Sequence, residues 1–237
     1  MPSAARNLMS NMFSFFQSSP AHNGVTDKAK VFSTPQIDRK NKVAQQRRNS
    51  ETDMNGKSVG KRIYVENIEH WEPTVTEKEL LRRTWSDEFE FLYNLGSSIY
   101  FYIFEHNPNC KKLFPYIESY GDSWKDSKEF RSQALKFVQT LAQVVKNVYH
   151  MDRIKPYLYD VGQRHCKFAN RGFKHEYWDD FQDAMDYSLS DHMNKLPDFS
   201  DQDKAEAVRV WRTLALFVVV HMKQGFVDGL KGINVYK

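Results

Sequence analysis

From Thr74 onward, apolar residues return every three or four positions, and no stretch alternates apolar with polar side chains. That period belongs to helices laying one face on a core, and it confines the chain to an all-helical fold. The clearest helix is predicted over 127–149, where Phe130, Ala134, Phe137, Val138, Leu141, Val144, Val145 and Val148 share one stripe. An earlier helix over 87–106 carries Phe91, Leu95, Ile99, Tyr102 and Ile103 and stops before Pro108, which cannot continue it. Gly96 inside that helix costs about 1 kcal/mol relative to Ala, which marks it as the site of a close helix crossing. Thr76 with Glu79 reads as a capping box opening the first helix, just after Pro73. Further helices are predicted over 154–168, closed by Asn170-Arg171-Gly172, over 176–193, and over 200–230 behind Ser200 and Asp201.

Composition narrows the class further. With 10 glycines in 237 residues the chain lacks the turn supply of a sandwich or a nucleotide-binding α/β fold. Two cysteines cannot build a disulfide scaffold, and no Cys/His spacing resembles a zinc site. No run approaches 18 uninterrupted apolar residues, so no membrane-spanning helix is expected.

Charge divides the chain. Residues 1–70 hold 11 Lys/Arg against 6 Asp/Glu, a net of +5, whereas the remaining residues hold 23 against 24. The first segment is also rich in Ser, Asn and Gln, and it cannot bury enough apolar surface to offset its ordering entropy. The expected organisation is a disordered basic extension over 1–70, a helical domain over 71–232 and a short tail over 233–237. The extension is a candidate contact for an anionic membrane or a protein partner, with its Leu8–Phe16 stretch as a membrane-surface helix; nucleic acid is disfavoured by its interspersed acids. Arg47-Arg48-Asn49-Ser50 makes Ser50 a candidate phosphorylation site for a basophilic kinase. The expected location is the cytoplasm, with peripheral membrane association through the extension.

A set of landmarks then recurs in order. Ile103-Phe104 is followed by Pro108 and by Leu113-Phe114-Pro115; Gln133 lies on the long apolar helix; Val161-Gly162-Gln163-Arg164 precedes His165; and Val210-Trp211-Arg212-Thr213-Leu214 and Met222-Lys223-Gln224-Gly225-Phe226 mark the final helix. With these landmarks, residues 74–230 resemble a globin, particularly the nematode and neuroglobin-like branches. The resemblance implies a helical sandwich around a haem pocket, with haem b as cofactor.

On that resemblance His165 is the proximal iron ligand, its other ring nitrogen bonded to a backbone carbonyl near Val161. Phe114 would pack on the haem face. Gln133 and Tyr100 would line the distal side and hydrogen-bond bound O₂, a combination seen in nematode globins that hold oxygen tightly, and Phe137 would narrow the pocket. Lys136 and Arg164 would meet the haem propionates, and Phe173 would form pocket wall. The expected function is reversible binding of O₂ or another diatomic gas for storage, delivery or sensing. The alternative is redox chemistry, in electron transfer, nitric oxide dioxygenation or nitrite reduction, with electrons from a separate reductase. A globin-like interaction module without haem is the remaining reading.

Overall fold

The computed structural model describes residues 67–235, with side chains to residue 232. The basic extension, the Leu8–Phe16 stretch and Ser50 lie outside the described residues. The first described element is a 3₁₀ turn at Ile68–His70, just ahead of the 70/71 boundary expected from charge. Trp71 then places its ring edge on Phe217, 6.0 Å between centroids.

Seven α-helices follow among the described residues: α1 (Val75–Arg83), α2 (Phe89–His106), the single turn α3 (Pro115–Glu118), α4 (Lys128–Lys146), α5 (Met151–His165), α6 (Tyr177–Asn194) and α7 (Asp201–Val235). Tight 3₁₀ turns at Pro108–Leu113, Gly121–Asp126 and Cys166–Arg171 connect them, and no strand occurs among the described residues. The fold class is the one that the 3.6-residue period dictates.

The capping box sits two residues earlier than the sequence suggested. Thr74 caps α1, with Glu77 reaching back to the Thr74 N–H at 2.8 Å and the Thr74 hydroxyl accepting from the Glu77 N–H. Both Thr-x-x-Glu registers satisfy local rules. The earlier one also lets Glu77 pair with Arg209 of α7, a partner that no local pattern reveals. Ser127 caps α4 through the Phe130 N–H.

Helix α5 ends at His165, short of the predicted Phe168, because the chain tightens into the 3₁₀ turn that follows. Gly172 closes that turn at φ 87°, a left-handed backbone that glycine adopts without strain.

Helix α7 is longer than expected, and by length and composition it could cross a membrane, contrary to the reading of uninterrupted apolar runs. Half of its apolar window is buried inside the protein, with Val210, Trp211, Leu214, Phe217, Val218 and Phe226 sealed against α1, α5 and α6.

Glycines set how closely the helices cross. A Cβ on Gly96 would lie 2.5 Å from the Ala134 carbonyl oxygen, so α2 and α4 touch backbone to backbone where the sequence placed a close crossing. Between α5 and α7 the contact is reciprocal. A Cβ on Gly162 would fall 2.0 Å from the Met222 carbonyl oxygen, and one on Gly225 would fall 2.1 Å from that of Tyr159. The helix bearing His165 is thereby pinned to the longest helix of the domain.

Candidate functional site: an imidazole wall and a phenol–amide wall

His165 falls on the inner stripe of α5, one turn beyond Val161 and two beyond Leu158. Its Nδ1 lies 2.8 Å from the Val161 carbonyl oxygen, the bond expected one turn earlier in the helix. A carbonyl can only accept, so Nδ1 carries the hydrogen and Nε2 keeps its lone pair. Among the described residues Nε2 has no hydrogen-bond partner. Burial is the main influence holding the ring below its ordinary pKa, and the neighbouring Lys167 and Arg164 charges push the same way. The imidazole is neutral and its tautomer fixed, the form in which histidine ligates a metal.

Three rings surround it. Phe173 lies 5.4 Å away, Trp178 5.4 Å and Phe168 5.7 Å. Phe173 and Trp178 rest in turn on Phe226 of α7. Phe173 was legible in the sequence, whereas Trp178 and Phe168 were not. Both look like ordinary core aromatics until α6 folds back over the end of α5.

The opposite wall is built on α2 and α4. Tyr100 is 2% exposed, and the rings of Phe104, Phe114, Phe137 and Phe181 surround it at 5.5–6.1 Å. Gln133 Nε2 donates to its phenol oxygen at 2.7 Å. Burial holds the phenol well above its ordinary pKa, so it keeps its proton. Since the phenol oxygen is the acceptor here, the hydroxyl hydrogen stays free to donate elsewhere. Tyr100, Gln133, Phe114 and Phe137 thus come together, and Phe181 of α6 joins them as a member that the sequence pattern did not single out.

Helix α6 joins the two walls. Trp178 touches His165, and Phe181, three residues on, touches Tyr100 and Phe137. Three residues of helix rise about 4.5 Å, which brings the two aromatic groups within one helical turn of each other. Among the described residues no ring contact crosses from one group to the other. His165, Gln133, Phe114, Phe137, Phe173 and Phe181 are only partly buried, although Tyr100, Trp178 and Phe226 behind them are sealed. The partly buried rings on either side of the Trp178–Phe181 turn offer apolar surface that a flat apolar group could cover. Lys136 and Arg164 are exposed and unpaired among the described residues.

Among the described residues, two further histidines and both cysteines are held by other partners. His221 packs on Phe217 at 4.4 Å, and His192 packs on Phe91 at 4.7 Å. Cys110 and Cys166 are buried and free. The Cys166 thiol donates to the Phe226 carbonyl at 3.3 Å.

Comparison with known proteins agrees with this architecture. The globin family model matches residues 97–216, half of the chain and the whole span from Tyr100 through His165 to the middle of α7. Globin-related protein glb-13 of Caenorhabditis elegans is 25% identical over 154 residues, which cover 65% of this chain and 52% of that protein. The chain therefore spans about half the length of that relative. Among solved structures, the crystal structure of a hexacoordinated heme protein from an anhydrobiotic tardigrade at pH 4 superposes with a TM-score of 0.55 at 20% identity, covering 65% of this chain and 95% of that one. That likeness is one of fold. The order of helices, the two walls and the family match converge, and the chain belongs to the globin family.

Proposed function

We propose that this globin binds haem b, holds the iron through Nε2 of His165 and reversibly binds O₂ on the Tyr100–Gln133 side. The observation that carries this reading is the Val161 carbonyl bond, which leaves one neutral, partly accessible imidazole nitrogen set among aromatic rings, without a partner among the described residues. Among the described residues no three His, Cys, Asp or Glu side chains converge. A single imidazole suits a metal that arrives already chelated by a flat macrocycle, and the aromatic walls suit that macrocycle's faces.

When bound, haem supplies a ferrous iron with one position for a diatomic gas. This chain's residues do the rest. Phe114, Phe137 and Phe181 exclude water from the distal side, which strengthens any hydrogen bond made there. Tyr100 donates its free hydrogen toward a polarised ligand, and Gln133 holds the phenol in the orientation that permits it. An amide is a weak iron ligand, so Gln133 would not compete with a gas for the metal. The exposed Lys136 and Arg164 are assigned to the haem propionates.

We also place the protein in the cytoplasm, because both cysteines are buried and free, a state that a reducing compartment maintains. Absorption spectra of the purified protein, ferric and ferrous, with and without CO, test the reading. A five-coordinate ferrous spectrum that shifts on adding CO is expected. A six-coordinate low-spin ferrous spectrum would overturn the open site, and the absence of any Soret band after expression with haem would overturn the cofactor.

A further inference from the structure

Among the described residues three buried side-chain atoms lack a hydrogen-bond partner, and one of them, Nε2 of His221, belongs to a group that changes charge near neutral pH. His221 lies on α7, against the place where the described chain begins. Its ring meets Phe217 at 4.4 Å, and Phe217 in turn receives the edge of Trp71. The Glu69 main chain hydrogen-bonds the imidazole, and the turn Ile68–His70 packs on α7. Asn67–Trp71 is thereby held on α7 through Ile68, the Trp71 edge and the His221 ring.

Of the two partners in this contact, the turn is the one that can yield. None of its residues is fully buried, whereas α7 beneath it is fixed by the reciprocal glycine contact with α5. Asn67 opens the turn at φ 57°, a left-handed backbone that residues carrying a Cβ adopt at a cost. Beyond Trp71 the chain is secured again, by the Lys78–Glu72 ion pair at 2.6 Å and by the Thr74 capping box. An opening of this segment therefore ends at Trp71.

We infer that His221 is a pH-operated catch, which holds Asn67–Trp71 against α7 while the ring is neutral and releases it when the ring takes up a proton in mild acid. A protonated ring has an N–H at both nitrogens, and at the sealed Nε2 no acceptor meets it among the described residues. The charged ring is satisfied only once the turn lifts and water reaches it. Burial is the main influence opposing the charge, and Lys155 of α5 and His70 of the turn oppose it too. The Glu69 carbonyl and carboxylate favour the charge without reversing that balance. With the turn lifted the ring returns toward its ordinary value near 6.5, so the grip is complete above about pH 6.5 and fades as the pH falls below it. Release exposes the Trp71 ring and the Phe217 edge it covers. The catch does not depend on haem.

The test uses the full-length, haem-loaded chain and millisecond hydrogen exchange at about pH 7.5 and 5.5, corrected for the intrinsic exchange rate. The amides read are those of His70 and Trp71, which bond to the Asn67 and Ile68 carbonyls at 2.8 and 3.1 Å. The Lys78 and Arg131 amides, bonded within the first turns of α1 and α4, are the references. Protection of His70 and Trp71 is expected to fall about threefold to tenfold at the lower pH, ten being the limit for one proton one unit below 6.5. The references should hold. His221→Phe keeps an aromatic ring on Phe217 but cannot take up a proton, and it is expected to abolish the change. Should that variant fold poorly, His221→Gln is expected to abolish it as well. Equal protection of His70 and Trp71 at the two pH values overturns the proposal. So does an undiminished loss in the substituted chain, or a loss that the references share equally. A missing Soret band fails the haem reading instead, since exchange is read on the amides alone.

Discussion

Gln133 donates to Tyr100, and the direction of that 2.7 Å bond decides what the phenol can do. With its oxygen occupied as acceptor, Tyr100 is left as a hydrogen donor, fixed in a ring of four phenylalanines. Tyr100→Phe removes the donor, and Gln133→Leu removes only what orients it. Tyr100→Phe is expected to accelerate O₂ dissociation about tenfold, equivalent to about 1.4 kcal/mol, and Gln133→Leu about threefold to fivefold. Stopped-flow displacement of O₂ checks both. A larger effect from Gln133→Leu than from Tyr100→Phe would show that the amide, not the phenol, contacts the gas.

His165→Gly removes the imidazole but leaves the Val161 carbonyl and the aromatic walls in place. Haem retention is expected to fall by at least a hundredfold, measured as transfer to apomyoglobin, and added imidazole should restore part of it. Retention equal to wild type would reassign the ligand.

The reciprocal glycine contact gives a prediction independent of any cofactor. Gly162→Ala drives a methyl into the Met222 carbonyl, and Gly225→Ala drives one into that of Tyr159. Backbone cannot step aside as a flexible side chain can, so each substitution is expected to destabilise the domain by about 2–3 kcal/mol. Gly232→Ala, where a Cβ meets nothing within 4 Å, is the neutral control. Urea denaturation of the haem-free protein reads all three.

Burial depresses the pKa of His192 and of His221, whose Nε2 is sealed without a hydrogen-bond partner. In the unfolded chain each ring takes up a proton as the pH passes through about 6.5, whereas the folded protein resists until lower pH. Their contribution to stability is thus complete above about pH 6.5 and is lost as the pH falls below it. Glu77 and Glu206, held below the usual carboxylate range by desolvation-opposed bonds to Thr74 and Arg209, add a second loss only in more acid solution. The haem-free protein should melt at a lower temperature at pH 5.5 than at pH 7.5, and His192→Gln with His221→Gln should reduce that difference to the part set by His165. An unchanged difference would show that other groups set it.

Much of this was legible in the chain because helices are written locally. The stripe from Phe130 to Val148 gave α4, and Gly96 announced its crossing. Tyr100, Phe114, Gln133, His165 and Phe173 were singled out by the resemblance to globins that the ordered landmarks carry. What escaped was non-local. Trp178, Phe168 and Phe181 differ from other aromatics only in what folds against them. The choice of Thr74 over Thr76 as the cap comes with an arginine on α7, 132 residues from Glu77. Gly162 and Gly225 stand inside the Val161–Arg164 and Met222–Phe226 motifs, but nothing local in either motif says that the two helices meet there.

That meeting bears on how this domain tolerates change. His165 stands three residues beyond Gly162, so the helix presenting it is seated on peptide groups that every substitution leaves in place. The height of the imidazole is thus set by backbone contact and not by the bulk of neighbouring side chains. Two bare α-carbons act as a mechanical datum for the imidazole side of the domain.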